Sequence, residues 1–308
     1  GVGPRDSYEK FPYSIKKYDS GGEVVATWQG LEGTLPFGSI DAVATDAQND
    51  VYALTSSGIL KLGNDGAFKS RFDGWGRDAV VDADGNIYVL SYEQVEKYDS
   101  SGNLLTEWGA WGNYPGEFVD PRGIAVDADG YVYVADTGNR RVQKFSSNGE
   151  FVKAFGNEQF SSRPGSIAVG TDNIVYVGTD SDGIYKFSAE GECLGEIDDY
   201  YSEIGVTYNI SGSRVAIDTE NNLYVWGNWY FYDGGHNGIV KIDSNGEFIT
   251  GIPYTGIFRD IAVDTAGNVF IADYYYIKKY EKRITEIEIE IETQTISIPL
   301  QSGWNLIS

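Results

Sequence analysis

One motif returns six times along this chain and limits what it can fold into. Its copies read AVATDAQNDVYAL, AVVDADGNIYVL, GIAVDADGYVYVA, IAVGTDNIVYVG, VAIDTENNLYVW and IAVDTAGNVFIA. The residue closing the first apolar run falls at Asp46, Asp82, Asp127, Gly170, Asp218 and Asp264, in steps of 36, 45, 43, 48 and 46 residues. The fullest unit, residues 120–156, adds two further strand patterns (RVQKF and EFVKAF) around a second turn, SSNG. Four strands per step of about 40–45 residues is the signature of a β-propeller blade. The 39 glycines and 14% aromatic residues suit short strands joined by tight turns. In D-A-D-G the carboxylate is expected to accept backbone N–H bonds while Gly takes positive φ. A calcium loop needs more oxygens at alternate positions than these turns offer.

Residues 120–156 resemble an NHL repeat, P-x-G-I-A-V-D-x-x-G-x-V-Y-V-A-D-x-x-N-x-R-I-Q-x-F-x-x-x-G, through Pro121, Gly123, Asp127, Gly130, Asp136, Asn139, Arg141 and Phe145. The likeness extends over about residues 15–281. It implies a six-bladed propeller and no single function, because such propellers include RNA binders, protein-binding modules, lyases and lactonases. The expected fold is all-β: a six-bladed NHL-type propeller over residues 1–283 with a C-terminal β-strand tail over 284–308. The alternative is seven blades, one of them partial. Third-strand motifs occur seven times (Lys17-Tyr18, Lys61-Leu62, Lys97-Tyr98, Lys144-Phe145, Lys186-Phe187, Lys241-Ile242, Lys279-Tyr280), against six first strands. Residues 23–28 are expected to complete the last unit, leaving one third-strand copy surplus.

The formal net charge of −23 disfavours nucleic acid and anionic membrane as partners. It suits an extracellular or cell-surface protein. One cysteine, Cys193, allows no internal disulfide, and the absence of methionine suggests a processed or trimmed chain. No apolar run reaches a membrane span. The sequon at Asn209 would accept an N-linked glycan outside the cell.

Catalytic signatures are sparse. His236 alone cannot build a multi-histidine zinc site, which sets the chain apart from the His-dependent lyases of the resembled fold. No G-x-S-x-G elbow or phosphate-binding glycine loop is present. The expectation is therefore no enzyme and no cofactor, with a carboxylate-metal hydrolase or lactonase as one alternative.

Two features suggest binding. Arg77, Arg122 and Arg259 lie five residues before the turn Asp, Arg214 four before and Arg163 seven before Gly170. At the start of the channel-lining strands they are expected to ring the mouth as an anion site, unless neighbours such as Asp78 and Asp260 neutralise them. Residues 226–236 (WGNWYFYDGGH) and 198–208 (DDYYSEIGVTY) read as loops on one propeller face. They are expected to gather Tyr200, Tyr201, Trp229, Tyr230, Phe231 and Tyr232 into a patch for carbohydrate or a surface protein.

The tail ITEIEIEIETQTISIPL alternates strictly, with Ile287, Ile289 and Ile291 on one parity and Ile296, Ile298 and Leu300 on the other. A parity switch marks a bulge, a turn or a change of sheet. Residues 300–308 resemble the opening of a β-sandwich domain of archaeal and bacterial surface proteins. A strand with no partner of its own would be donated to the next copy of the chain, building a filament or surface array. The functional expectation is accordingly a structural or adhesive scaffold, with a monomeric carbohydrate- or protein-binding propeller as the alternative.

Overall fold

The computed structural model describes residues 39–181, 183–198, 207–231, 234–254 and 258–273, with the strand backbones of 15–18, 24–28, 200–201, 277–280, 287–291 and 294–298. Two N-terminal strands, β1 (Ile15–Tyr18) and β2 (Val24–Trp28), precede the first full unit. That unit is β3 (Ile40–Thr45), β4 (Val51–Thr55), β5 (Gly58–Leu62) and β6 (Phe68–Phe72). The second is β7 (Asp78–Val81), β8 (Ile87–Leu90), β9 (Val95–Tyr98) and β10 (Leu104–Trp108). The third is β11 (Gly123–Val126), β12 (Val132–Asp136), β13 (Arg141–Phe145) and β14 (Phe151–Phe155). The fourth is β15 (Pro164–Val169), β16 (Val175–Thr179), β17 (Ile184–Phe187) and β18 (Cys193–Ile197). The fifth is longer: β19 (Tyr200–Tyr201), β20 (Thr207–Ile217), β21 (Leu223–Phe231), β22 (Gly234–Ile242) and β23 (Phe248–Pro253). Then come β24 (Phe258–Val263), β25 (Val269–Asp273), β26 (Ile277–Tyr280), β27 (Ile287–Ile291) and β28 (Gln294–Ile298).

The architecture is an all-β propeller. Inner strands β3, β7, β11, β15, β20 and β24 touch in cyclic order, and β24 returns to β3. Where two neighbouring sheets face each other an apolar cluster fills the gap, as with Tyr88, Phe118, Ile124 and Phe145 between the second and third. The core is thus a ring of wedges, and outer strands such as β6 and β10 face water at alternate residues.

The expectation of six blades, the last completed by residues 23–28, is corrected in one respect: β1 as well as β2 joins that blade. Five blades are continuous stretches of chain, and the remaining sheet is composite, ordered β24-β25-β26-β1-β2. β1 lies parallel to β26, setting Lys17 opposite Lys279 and Tyr18 opposite Tyr280, and β2 pairs antiparallel with β1. The seventh third-strand motif therefore forms no partial blade. It occupies the edge that β26 would otherwise leave open, an edge that a closed ring must cover.

The turn aspartates behave as expected and also do more. Asp127 Oδ1 accepts the N–H groups of Asp129 (3.1 Å) and Tyr131 (2.8 Å), with Gly130 at φ +82°. Its Oδ2 accepts the hydroxyl of buried Tyr133 at 2.9 Å and lies 3.8 Å from Lys144 Nζ. The same Asp–Tyr–Lys trio recurs as Asp46/Tyr52/Lys61, Asp82/Tyr88/Lys97 and Asp218/Tyr224/Lys241. Two trio lysines, and the equivalent Lys186 of the fourth blade, also reach outward: Lys97 donates to Ser147 O (3.2 Å), Lys144 to Ala189 O (3.1 Å) and Lys186 to Ser244 O (3.3 Å), each a turn of the next blade. One trio thus satisfies a turn, anchors a buried phenol and ties neighbouring blades together.

The tail also departs from expectation. β27 pairs antiparallel with β28, Ile287 opposite Ile298 and Ile289 opposite Ile296. The parity switch falls between two strands that pair with each other, so β27 has one partner in its own chain. Leu300 and the stretch resembling a β-sandwich lie outside the described residues.

In the fourth blade Gly170 replaces the aspartate, and the hydroxyl of fully buried Tyr176 has no hydrogen-bond partner among the described residues. Tyr133→Phe should therefore lower stability by about 2 kcal/mol, the scale of a buried hydrogen bond to a carboxylate. Tyr176→Phe should be neutral or stabilising, because it removes a desolvated hydroxyl that gains nothing. Urea unfolding of both variants measures the contrast, and equal losses would refute the assignment.

Candidate functional site: the channel mouth and its rim

Residues four positions before the turn Asp or Gly are Ala42, Asp78, Gly123, Ser166, Arg214 and Asp260. They sit at or near the start of the inner strands, except that Arg214 is the eighth residue of the longer β20, and four of them, Asp78, Ser166, Arg214 and Asp260, line the central cavity of about 210 Å³. Below them its walls are apolar, through residues such as Val80, Val126 and Ile261.

Arg214 reaches across this mouth. Its Nε donates to Arg259 O at 2.7 Å and lies 3.4 Å from Asp260 Oδ1, while Nη1 reaches Arg122 O at 3.3 Å. One side chain from β20 therefore touches both β24 and the approach to β11. Asp260 Oδ2 accepts Val43 N–H at 2.8 Å and Asp78 Oδ2 accepts Ile124 N–H at 2.9 Å, so each carboxylate pins its own inner strand to the next. Burial, and then the charge of Asp260, push the Asp78 carboxyl up to about 7 against the opposing pull of Arg214. Burial raises Asp260 as well, with Arg214 acting against it.

The other arginines do not line the cavity. Arg77 pairs with Asp120 and lays its guanidinium 3.8 Å from the Tyr92 ring centroid. Arg122 Nη2 donates to Asp120 Oδ2 at 3.1 Å, and its Nη1 lies 3.8 Å from Asp180 Oδ1. Burial alone would raise Asp120, but the two guanidiniums outweigh it and hold its carboxyl below the usual range. Arg163 and Arg259 are exposed. The charge of Arg259 opposes the burial that raises Asp41. The expected ring is thus one spanning residue, Arg214, and a neutralised Arg77–Asp120–Arg122–Asp180 chain. The neutralising acids are mainly Asp120 and Asp180, with Asp260 serving only Arg214.

The predicted aromatic patch resolves differently. Residues 226–231 and 207–208 are extensions of β21 and β20, and register aligns Tyr200, Tyr208, Trp229 and His236 in one row. Tyr201, Thr207, Tyr230 and Gly235 form the next row. Trp229 is buried, stacks on His236 at 5.6 Å and packs into the apolar cluster between the fourth and fifth blades. A Cβ on Gly251 would come within 2.3 Å of its ring, so Trp229 is core and unavailable to a ligand. Tyr230 is 49% exposed. Asn209 lies in β20 opposite Asn228. The side chains of Asn209, Tyr200, Tyr201 and Phe231, like Tyr232, lie outside the described residues.

The exposed aromatics lie elsewhere at this end. Trp75 (60% exposed), Tyr92 (52%), Trp111 (70%) and Tyr114 (72%) stand on the loops of the second and third blades. Trp75 and Tyr92 have ring centroids 5.9 Å apart. Gly76 fits because any Cβ would lie 2.5 Å from Val89 Cγ1 and 2.6 Å from Leu90 O. This close approach seats Trp75 and Arg77 on top of β8. The loop bearing Trp111 and Tyr114 is clamped by the repeat's own signature residues. Asn139 donates to Gly112 O (3.0 Å), Arg141 to Tyr114 O (3.0 Å) and Gln143 to Glu117 O (2.7 Å). Buried Asp136 gathers Asn139, Arg141, Gln143 and the Val119 N–H. A signal was present in sequence: Trp75 and Trp111 lie in glycine-flanked GWGR and AWGN stretches without strand alternation.

Because the Asp78 carboxyl titrates near 7 in the fold and near 3.9 when unfolded, the folded chain holds the extra proton between these values. Its contribution to stability is present at pH 4 and is lost as pH rises towards 7. The unfolding free energy of the wild type minus that of Asp78→Asn should therefore decline from about pH 4 to about pH 7 and level off above. Parallel curves from chemical denaturation at each pH would exclude it.

The family model described as NHL repeat matches residues 118–145, the stretch whose signature side chains form this clamp. Human NHL repeat-containing protein 3 is 26% identical over 160 residues, covering 51% of this chain and 38% of that protein. The match thus spans well under half the length of this relative. A streptogramin B lyase structure superposes with a TM-score of 0.56 at 14% identity, covering 79% of this chain and 93% of that one. A gluconolactonase from Xanthomonas campestris does so with a TM-score of 0.57 at 16% identity, covering 78% and 85%. At such identities the likeness is one of fold, and enzymes occur within that fold. Repeat signature and architecture agree: the chain carries an NHL repeat at residues 118–145 and folds as a β-propeller, similar to NHL repeat-containing proteins.

Proposed function

We propose that this chain is a non-catalytic recognition module that engages its ligand at the propeller end where the inner strands begin. The observation that carries this reading is the set of four large aromatic side chains, Trp75, Tyr92, Trp111 and Tyr114, each more than half exposed on that end. Exposed aromatic rings on loops held by a rigid scaffold are suited to contact with a partner. The opposite end carries the aspartate turns, whose polar groups are largely consumed by their own backbone.

Three features weigh against chemistry in the channel. Asp78 and Asp260 are engaged with backbone N–H groups, and Arg214 spans the entrance. Among the described residues no group of three or more His, Cys, Asp or Glu is placed to hold a metal. His236 stacks on Trp229 in the fifth blade and is not among the cavity-lining residues. A filament built by strand donation has less support, since β27 is already paired. The acidic surface suits a module outside the cell.

Arrays of glycans, peptides and small carboxylates test the reading, probed with the wild type and with a Trp75→Ala/Trp111→Ala form. At least one ligand class should be retained by the wild type and lost by the variant. Retention unchanged by the substitutions, or no retention of any class, would overturn it.

A further inference from the structure

We propose that the rim formed by Trp75, Tyr92, Arg77, Asp120 and Arg122 is a subsite for a neutral oligosaccharide. The inference rests on the recognition reading and names its ligand class. Trp75 and Tyr92 form an adjacent, tilted pair of rings that remain largely open to water. Such a pair offers an apolar surface to the C–H face of a pyranose over the area left open beside the Arg77 guanidinium, which covers part of the Tyr92 ring. Beside it, Asp120 sits between two guanidiniums, and Asp180 faces the second. Two arginines and two aspartates carry no net charge, so the cluster offers an anion no local attraction. The overall charge of −23 opposes one further. What the cluster does present is alternating donors and acceptors fixed in place: guanidinium N–H groups that donate and carboxylate oxygens that accept. Vicinal hydroxyls both donate and accept, so neutral sugars match this pattern where carboxylates or ammonium groups do not. A peptide strand would need an open sheet edge, and this end of the second and third blades is made of loops.

The geometry also sets the scale of the ligand. Trp111 and Tyr114 add further exposed aromatic surface on the loop between β10 and β11, the same connection that carries Asp120 and Arg122. A chain of several sugar units, rather than a monosaccharide, would engage both parts.

The test titrates the wild-type chain with neutral hexaoses (cello-, manno- and laminarihexaose) and with an oligogalacturonate of similar length, by calorimetry and tryptophan fluorescence. At least one neutral hexaose should bind saturably and quench fluorescence. Its affinity should be nearly unchanged from about 0.05 to about 0.5 M NaCl, a range that screens an ion-paired ligand strongly. Trp75→Ala and Asp120→Asn should each weaken it by about tenfold or more, whereas Tyr230→Ala on the fifth blade should leave it unchanged. Circular dichroism confirms that the variants are folded, and saturation-transfer NMR on the wild type locates the sugar independently of them. Binding of the oligogalacturonate alone, or sensitivity to Tyr230→Ala in place of Trp75→Ala, would overturn the proposal. If no sugar binds while peptides are retained through Trp75, the glycan inference falls and the recognition reading stands.

Discussion

Five of the six blades are held by a carboxylate at the turn between their first two strands, and several other features depend on it. In four of them, at Asp46, Asp82, Asp127 and Asp218, the aspartate caps backbone N–H groups of the turn with one oxygen and receives a buried tyrosine hydroxyl with the other. A lysine from the third strand completes the trio, and from the second, third and fourth blades the corresponding lysine also reaches the next blade. The Lys241–Asp218 pair is almost wholly buried, with side chains 5% and 4% exposed. Removing one partner from such a pair strands the other charge at a cost of about 3 kcal/mol or more. Apolar clusters between sheets supply the bulk of the burial, but they are non-directional. The trios give the wedges a register around the ring.

At the opposite end the constraint is the single residue Arg214. Its guanidinium spans from the fifth blade to the carbonyl of Arg122, just before the third inner strand, and that of Arg259, within the sixth. The charges at the mouth are thereby consumed in holding the ring together. What remains available to a partner is displaced outward, onto loops where glycine packing and the Asp136–Asn139–Arg141–Gln143 network hold exposed aromatic rings in place. The signature residues of the repeat thus act at a distance from the surface they support.

Much of the fold was legible in the sequence because propeller blades are local structures. Strand alternation, turn chemistry and a repeat near 40–45 residues are all written within one unit, and the predicted turn role of Asp82 and Asp127 matches their hydrogen bonds. The site was less legible. Arg77, Arg122 and Arg214 occupy nearly the same repeat position, yet a shift of one residue along a strand sends Arg214 across the mouth and Arg77 onto Tyr92. Trp229, counted with its aromatic neighbours, proved to be core because β20, β21 and β22 run on past the usual strand length.

The sequence by itself determined the all-β class, the repeating unit, the capped turns and the lack of histidines for a multi-histidine metal site, since these follow from residue type and short-range spacing. Only the tertiary structure decided how the ring closes, because the pairing of β1 with β26 joins residues more than 250 positions apart. It alone decided that Asp120 and Asp180 neutralise the arginines, and that β27 turns back on β28. Each of these outcomes is a choice of partner across space. A linear pattern specifies that a strand or a charge needs a partner; the packing of the whole chain selects which one it receives.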